Sequence, residues 1–249
     1  MRNVYIQLAS DGQIENVNLY NAFDGFSKKL YDIHFFTLLC PSTNRDDIVC
    51  GTIGAVRQAW RYMNVPLPAM LDYPSELTPY LGRNIRASTL QQVRAQFFGE
   101  HPAPLFVKPQ HHKLFQGKVM RGHACLRESA PHAPDTKVWV SEPVPMVSEH
   151  RVFVLRGTIL DIKHYHGDYR IAPDYALIER ALAAYSDAPV AYSIDFAVTS
   201  EGQTILVEVN DSFALGCYGL DAVDYARMIE ARWDEITGST FRAAHNLLN

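Results

Sequence analysis

Residues 193–211, SIDFAVTSEGQTILVEVND, decide the fold. Two apolar runs flank Ser200-Glu201-Gly202, a turn signal of the kind that joins antiparallel strands. Side chains alternate across a strand, so Ile194, Phe196 and Val198 share one face and Asp195 stands on the other. Glu208 and Asn210, two apart in the second run, share a face of their own. Three oxygen donors, Asp195, Glu208 and Asn210, can therefore converge on one side of a hairpin. Hard oxygen ligands of this kind suit Mg²⁺ when phosphate oxygens and water complete the shell. The plain alternative is the solvated polar face of a half-buried hairpin.

Upstream, residues 105–119 read LFVKPQHHKLFQGKV. An apolar strand delivers Lys108 just ahead of Pro109, and a polar loop leads to Gly117 and Lys118. A lysine at a strand end is a compact charge suited to a phosphate, and a glycine lets backbone N–H groups approach an anion. A surface lysine beside a proline turn is the alternative, and glycine is too sparse here for a Walker loop or a dinucleotide fingerprint. In residues 138–144, VWVSEPV, a strand runs into Ser141, Glu142 and Pro143. In residues 148–154, SEHRVFV, Glu149 and Arg151 share the face opposite Val152 and Val154. Those charges point into whatever cleft the sheet lines, unless they form an ordinary cross-strand ion pair.

Further out, a Gly-containing turn at Arg156-Gly157 predicts another hairpin, and residues 174–185 predict a helix. Residues 221–236 predict a last helix packing on the same α+β lobe. The first third alternates strand and helix: apolar runs at 4–9 and 33–39, and helical spacing over 15–30 and 51–62, the latter ended by Pro66 and Pro68. Residues 64–104 are broken by prolines and read as a connector with one helix near 89–97, which puts the division into 1–100 and 101–249. The 249 residues, 47% apolar and 20% charged, describe a folded chain rather than a disordered or fibrous one. A net charge of -4 offers no basic field for nucleic acid. Cys40, Cys50, Cys125 and Cys217 include no CxxC pair, which argues against a disulfide framework and a zinc knuckle. No signal peptide and no long apolar span are read, so a cytoplasmic location is expected. His111-His112 and His164-x-His166 suit a surface or a ligand's neighbourhood better than structural zinc.

Taken in order, strand-Lys, loop, strand-Glu, E-x-R and D…E-x-N resemble the ATP-grasp superfamily over residues 105–211. FVKP with FQGKV, SEHRVFV, the 193–210 hairpin and the tail FALGCYGL are similar, more narrowly, to compact ATP-grasp proteins of bacteria and phages with mostly unassigned substrates. The resemblance implies a small N-terminal α/β lobe and two α+β subdomains clasping a nucleotide. It implies that Lys108 contacts the α- or β-phosphate, that Gly117 and Lys118 belong to the loop over the phosphates, and that Glu142 and Val144 form the adenine hinge. Glu142 would take the adenine amine through its backbone or the ribose through its carboxylate. Glu149 would belong to the nucleotide site, Arg151 would stabilise the γ-phosphate in transfer, and Asp195, Glu208 and Asn210 would hold Mg²⁺. Lys163 is a further candidate for the transferred phosphate or the acyl phosphate. Three departures stand out: the short His-rich loop, His150 where an aromatic is expected, and Asp211 directly after Asn210. Arg83, Arg86, the N-terminal lobe and residues 212–220 are the expected acceptor lining, the arginines suggesting an anionic group or else a helix-cap role.

The implied activity is an ATP- and Mg²⁺-dependent ligase joining a carboxylate to an amine or similar nucleophile through an acyl phosphate, with peptides and proteins among the admissible substrates. Such a mechanism needs no protein nucleophile, in keeping with the lack of a G-x-S-x-G elbow. The alternatives are a phosphotransferase and a nucleotide-binding regulatory module without turnover. The partners are then small-molecule or peptide substrates, with neither nucleic acid nor membrane expected and the oligomeric state open.

Overall fold

Short apolar runs near the N-terminus form three parallel strands, β1 (Asn3–Gln7), β2 (Asp32–Phe36) and β3 (Ile48–Cys50), in the order β2-β1-β3. The computed structural model describes residues 1–42, 44–98, 102–110, 114–122 and 131–241. Parallel strands need a crossover, here supplied by α1 (Val17–Lys28), which starts where the Asn16 side chain accepts from the N–H groups of Asn18 and Leu19. Thr52 caps α2 (Ile53–Tyr62) in the same way through Ala55. Both helices fall inside the stretches read as helical.

A second sheet, antiparallel, has the order β4-β7-β5-β6 and comprises β4 (Arg86–Thr89), β5 (Leu105–Pro109), β6 (Lys118–Met120) and β7 (Lys137–Ser141). Its α3 (Leu90–Gln96) is fixed by a capping box between Thr89 and Gln92 and packs Leu90 and Val93 onto Val107, Met120, Val138 and Val140. β4 falls within the stretch read as a connector. Arg-Ala-Ser-Thr has no apolar alternation, and as an edge strand it pairs only with β7. The sheet that carries Lys108 thus begins at Arg86, upstream of the expected division near residue 100.

The third sheet, ordered β11-β10-β8-β9, holds the two expected hairpins: β8 (Met146–Leu155) with β9 (Thr158–Gly167), and β10 (Ala191–Thr199) with β11 (Thr204–Asp211). Arg156 and Gly157, at φ 50 and 74, make the two-residue turn whose twist matches the strands. One face packs Val152, Val154, Ile194 and Phe196 against Ile178 and Ala181 of α4 (Tyr175–Ala184). The other sends Phe153, Leu155 and Ala191 into the core of the first lobe, and Arg151 and Asp195 lie further along it.

The last helix, α5 (Ala222–Thr237), corrects an expectation. It packs into the first lobe's core rather than on the second lobe alone, with Trp233 against Trp60 at 5.9 Å between ring centroids. Gly25 of α1 makes this possible, because a Cβ there would lie 1.9 Å from the Ala222 carbonyl oxygen. Cys40, Cys50 and Cys217 are free and buried, and Cys125 lies outside the described residues. Among the described residues no helix is long and apolar enough to cross a membrane.

Candidate active site

The two antiparallel sheets face each other across a cleft of about 990 Å³. Residues 142–145 link the last strand of one sheet to the first of the other, and Glu142, Pro143 and Val144 line the cleft at this joint. Phe106, Lys108 and Gly117 form one wall; Glu149, Arg151, Asp195, Glu208 and Asn210 form the other. Residues of α2 and of 213–218 close one end.

A row of charged side chains bridged by one amide crosses this space. Lys108 Nζ donates to Asp72 Oδ1 at 2.5 Å and to Glu208 Oε2 at 2.6 Å. Asn210 Nδ2 donates to Glu208 Oε1 at 3.0 Å and to Asp195 Oδ2 at 3.3 Å. Arg151 then grips Asp195 with two parallel bonds, Nε to Oδ1 at 2.8 Å and Nη2 to Oδ2 at 2.7 Å. Register explains the meeting, since Asp195 lies opposite both Glu208 on β11 and Arg151 on β8. The reading of an E-x-R ion pair is thereby refined: Arg151 pairs across strands with Asp195, while Glu149 accepts from the Tyr165 hydroxyl at 2.7 Å.

Burial sets the protonation of the row. It pushes the Asp195 carboxyl up to about 6, outweighing the opposing pull of Arg151. Burial also works against the ionised form of Glu208, yet Lys108 and the Asn210 amide together hold that carboxyl below the usual range. For Lys108, desolvation is overcome by Glu208, Tyr73 and Asp72, and its ammonium is held above the ordinary lysine value. The guanidinium of Arg151 is also fixed by Gly216 O at 3.3 Å and by the Tyr218 ring, 4.8 Å from its centroid.

The remaining expected residues are distributed unevenly. Gly117 abuts Phe106, whose Cζ would lie 2.9 Å from an added Cβ. Lys118 pairs with Val107 in β6 and is outside the cleft lining, as is Lys163, whose Nζ lies 2.6 Å from Asp161. Glu142 Oε1 accepts from the Asn84 N–H at 2.9 Å. Arg83 lines the cleft, but its guanidinium donates to the carbonyls of Leu81, Leu206 and Val207, which ties it to β11; Arg86 is exposed and outside the lining. His150 is buried on the α4 face, 2.8 Å from Ser148 Oγ and 3.0 Å from Ile171 O, so it does not stand in for an aromatic of the cleft. Asp211 is taken by Arg232 at 2.8 and 2.6 Å and turned from the metal set. His111 and His112 lie outside the described residues; His164 packs edge-on against His150.

Sequence reasoning missed Asp72, Tyr73, Trp139 and Tyr165, which contact Lys108, Asp72 or Arg151; Tyr218 lies in the 212–220 segment expected as acceptor lining and stacks on Arg151 instead. An acid isolated in the proline-broken run PLPAMLDYP was the one available signal for Asp72. As for a metal, among the described residues no group of three or more His, Cys, Asp or Glu is arranged to hold one. Two carboxylates, each accepting from the Asn210 Nδ2, together with that residue's carbonyl oxygen, supply the donor chemistry of a hard cation that draws the rest of its shell from phosphate and water.

Two α+β units facing each other across a charged cleft, joined by a short linker and preceded by a parallel α/β lobe, define the ATP-grasp class of fold. The family profile for the ATP-grasp domain of R2K clade family 2 matches residues 80–228, and the chain belongs to that family. Among curated proteins none matches the sequence. Similar solved structures include D-alanine–D-alanine ligase from Bacillus anthracis, 16% identical, covering 96% of this chain and 99% of that one with a TM-score of 0.56. The same ligase complexed with ATP gives 0.54 at 16% identity, covering 95% and 96% of the two chains. N5-carboxyaminoimidazole synthetase from Staphylococcus aureus is 8% identical over 93% and 77% of the chains, with a TM-score of 0.62. D-cycloserine synthetase DcsG is 13% identical over 93% and 99%, with a TM-score of 0.60.

Proposed function

We propose that the chain is an ATP- and Mg²⁺-dependent ligase that activates a carboxylate as an acyl phosphate and joins it to an amine. The observation that carries the reading is the row Asp72, Lys108, Glu208, Asn210, Asp195, Arg151 across a cleft of about 990 Å³. The row sets three carboxylates against two cations, so Mg²⁺ and a triphosphate can enter by exchange of partners, the metal taking carboxylates and the phosphates taking Lys108 and Arg151. Asp195, Glu208 and the Asn210 carbonyl would hold Mg²⁺, which supplies charge compensation to the phosphates.

Lys108 grips the phosphate chain, with Gly117 packed beside its stem and against Phe106, where a side chain would crowd both. Arg151, kept in the cleft by Gly216 and Tyr218, exchanges part of its grip on Asp195 for the transferring phosphoryl group. A substrate carboxylate oxygen forms the new bond to the γ-phosphorus as the bond to ADP breaks. The amine then attacks the acyl carbon, phosphate departs, and the amine's proton is released. Glu142 and Val144 at the joint between the sheets serve the adenosine end. Similarity to ligases of known activity supports the class of reaction, and family membership supports use of ATP.

Thermal denaturation with and without ATP and MgCl₂, on wild type and Asn210→Ala, tests the nucleotide site, because a ligand bound only by the folded chain raises its melting temperature. A Mg²⁺-dependent rise in the wild type that the variant lacks is expected; no rise in either refutes the site. Stable phosphorylated product formed equally well with the amine omitted would convert the reading to a phosphotransferase.

A further inference from the structure

Asp72 lies before residue 80, where the family match begins, yet its carboxylate is part of the row. The residue is buried, with 4% of its surface exposed, and sits at φ 30, a left-handed conformation that most side chains avoid. Both carboxylate oxygens are used: Oδ1 accepts from Lys108 and Oδ2 accepts from the Trp139 indole N–H at 3.1 Å. Its carbonyl accepts from the Val209 N–H at 2.9 Å. One residue of the connector therefore touches β5 and β7 on one side of the cleft and β11 on the other. Tyr73 completes the box, its ring 5.3 Å from Lys108 Nζ and edge-on to Trp139 at 5.5 Å.

We infer that Asp72 is a positioning residue that keeps Lys108 aimed into the phosphate site while Glu208 is surrendered to the metal. The inference rests on the nucleotide site proposed above. An ammonium has three donors on a flexible stem, and here two are spent on carboxylates. Glu208 has two tasks that conflict, as counter-ion of Lys108 and as metal ligand. Asp72 has no such conflict, since Trp139 and the Val209 N–H hold it whether or not a nucleotide is bound. With Asp72 neutral, Lys108 would fall back on Glu208 alone and compete with Mg²⁺ for it.

Asparagine removes the charge at nearly the same shape and tolerates positive φ; its one amide oxygen can accept from Lys108 or from the Trp139 N–H but not from both, which is why Trp139→Phe is measured beside it. The measurement is the calorimetric affinity for Mg·ADP at several Mg²⁺ concentrations, for wild type, Asp72→Asn, Lys108→Met and the double variant, with melting temperatures alongside. We expect Asp72→Asn to weaken Mg·ADP roughly tenfold or more, to raise the Mg²⁺ concentration needed, and to have little further effect once Lys108 is methionine. Equal affinity of Asp72→Asn and wild type overturns the inference, as does a loss that adds in full on top of Lys108→Met, which would mark a merely structural role. Trp139→Phe, which removes one anchor and leaves the charge, is expected to give a smaller loss of the same Mg²⁺-dependent kind; an unchanged affinity there counts against the inference even if Asp72→Asn does not fold. Failure of the wild type itself to bind Mg·ADP would instead refute the nucleotide site.

Discussion

Replacing Lys108 with methionine keeps the apolar stem and deletes the ammonium. Two carboxylates then lose a partner at 2.5 and 2.6 Å, Asp72 with its side chain 6% exposed and Glu208 with its own 26% exposed. Removing one member of a buried ion pair costs about 3–5 kcal/mol. Glu208 keeps the Asn210 donor and some water, which places the expected loss near the lower end, about 3 kcal/mol. At roughly 2–4 °C per kcal/mol for a chain of this size, the melting temperature should fall by about 6–12 °C. The loss must also depend on pH. In the wild type the Glu208 carboxyl is depressed, so its contribution is present above the unfolded carboxylate range and is lost as pH falls through the lowered native value. The variant lacks that contribution and strands two buried carboxylates, so the gap between the proteins should be widest near pH 8 and narrow toward pH 4.5. Melting curves followed by circular dichroism across that range provide the assay. A variant as stable as the wild type at pH 8, or a deficit that does not change with pH, would refute the electrostatic account of the row.

Glu208→Gln should melt below the wild type but above Lys108→Met, since Lys108 keeps Asp72, and should lose the Mg²⁺-dependent rise with ATP; an undiminished rise would remove Glu208 from the metal set. Since burial pushes Asp195 up to about 6, protons should compete with Mg²⁺ there, and the metal-dependent stabilisation should weaken as pH drops below about 6. The same raised value means that the folded chain binds a proton more readily than the unfolded one, so this group alone favours folding more at pH 5 than at pH 7. Arg151→Lys can restore only part of the two-pronged grip on Asp195 and should lower turnover by about 10²–10³-fold, which steady-state ADP release will measure.

The parts legible in the sequence were those written in local periodicity. The 193–211 hairpin, the strand that delivers Lys108 and the alternation around Arg151 follow from period two, and each brings its polar residue to the cleft. What escaped depends on contacts between distant segments. Asp72 meets its lysine 36 positions away and Val209 still further along, from a left-handed conformation inside a proline-broken stretch that has no period to read. β4 is three polar residues and an alanine paired with β7, and with no apolar alternation of its own it becomes a strand because β7 is there. Arg83 looked like an anion contact, yet its donors go to backbone carbonyls of a strand over a hundred positions later. Burial made the same difference to Asp195, whose neighbours in sequence say nothing of the arginine that holds it.

The contact between α1 and α5 bears on how the polypeptide emerges from the ribosome. Trp60 and the buried face of α1 belong to a core whose other half, Tyr225, Ala226, Met228, Ile229 and Trp233, is synthesised only after both antiparallel sheets. The nascent first lobe must therefore wait, with its apolar surface uncovered, until the strands of both antiparallel sheets and α5 have been made, while those sheets can pair as they appear. A stop codon before residue 222 would leave that surface bare for good, so the first lobe and the last helix stand or fall together in the cell.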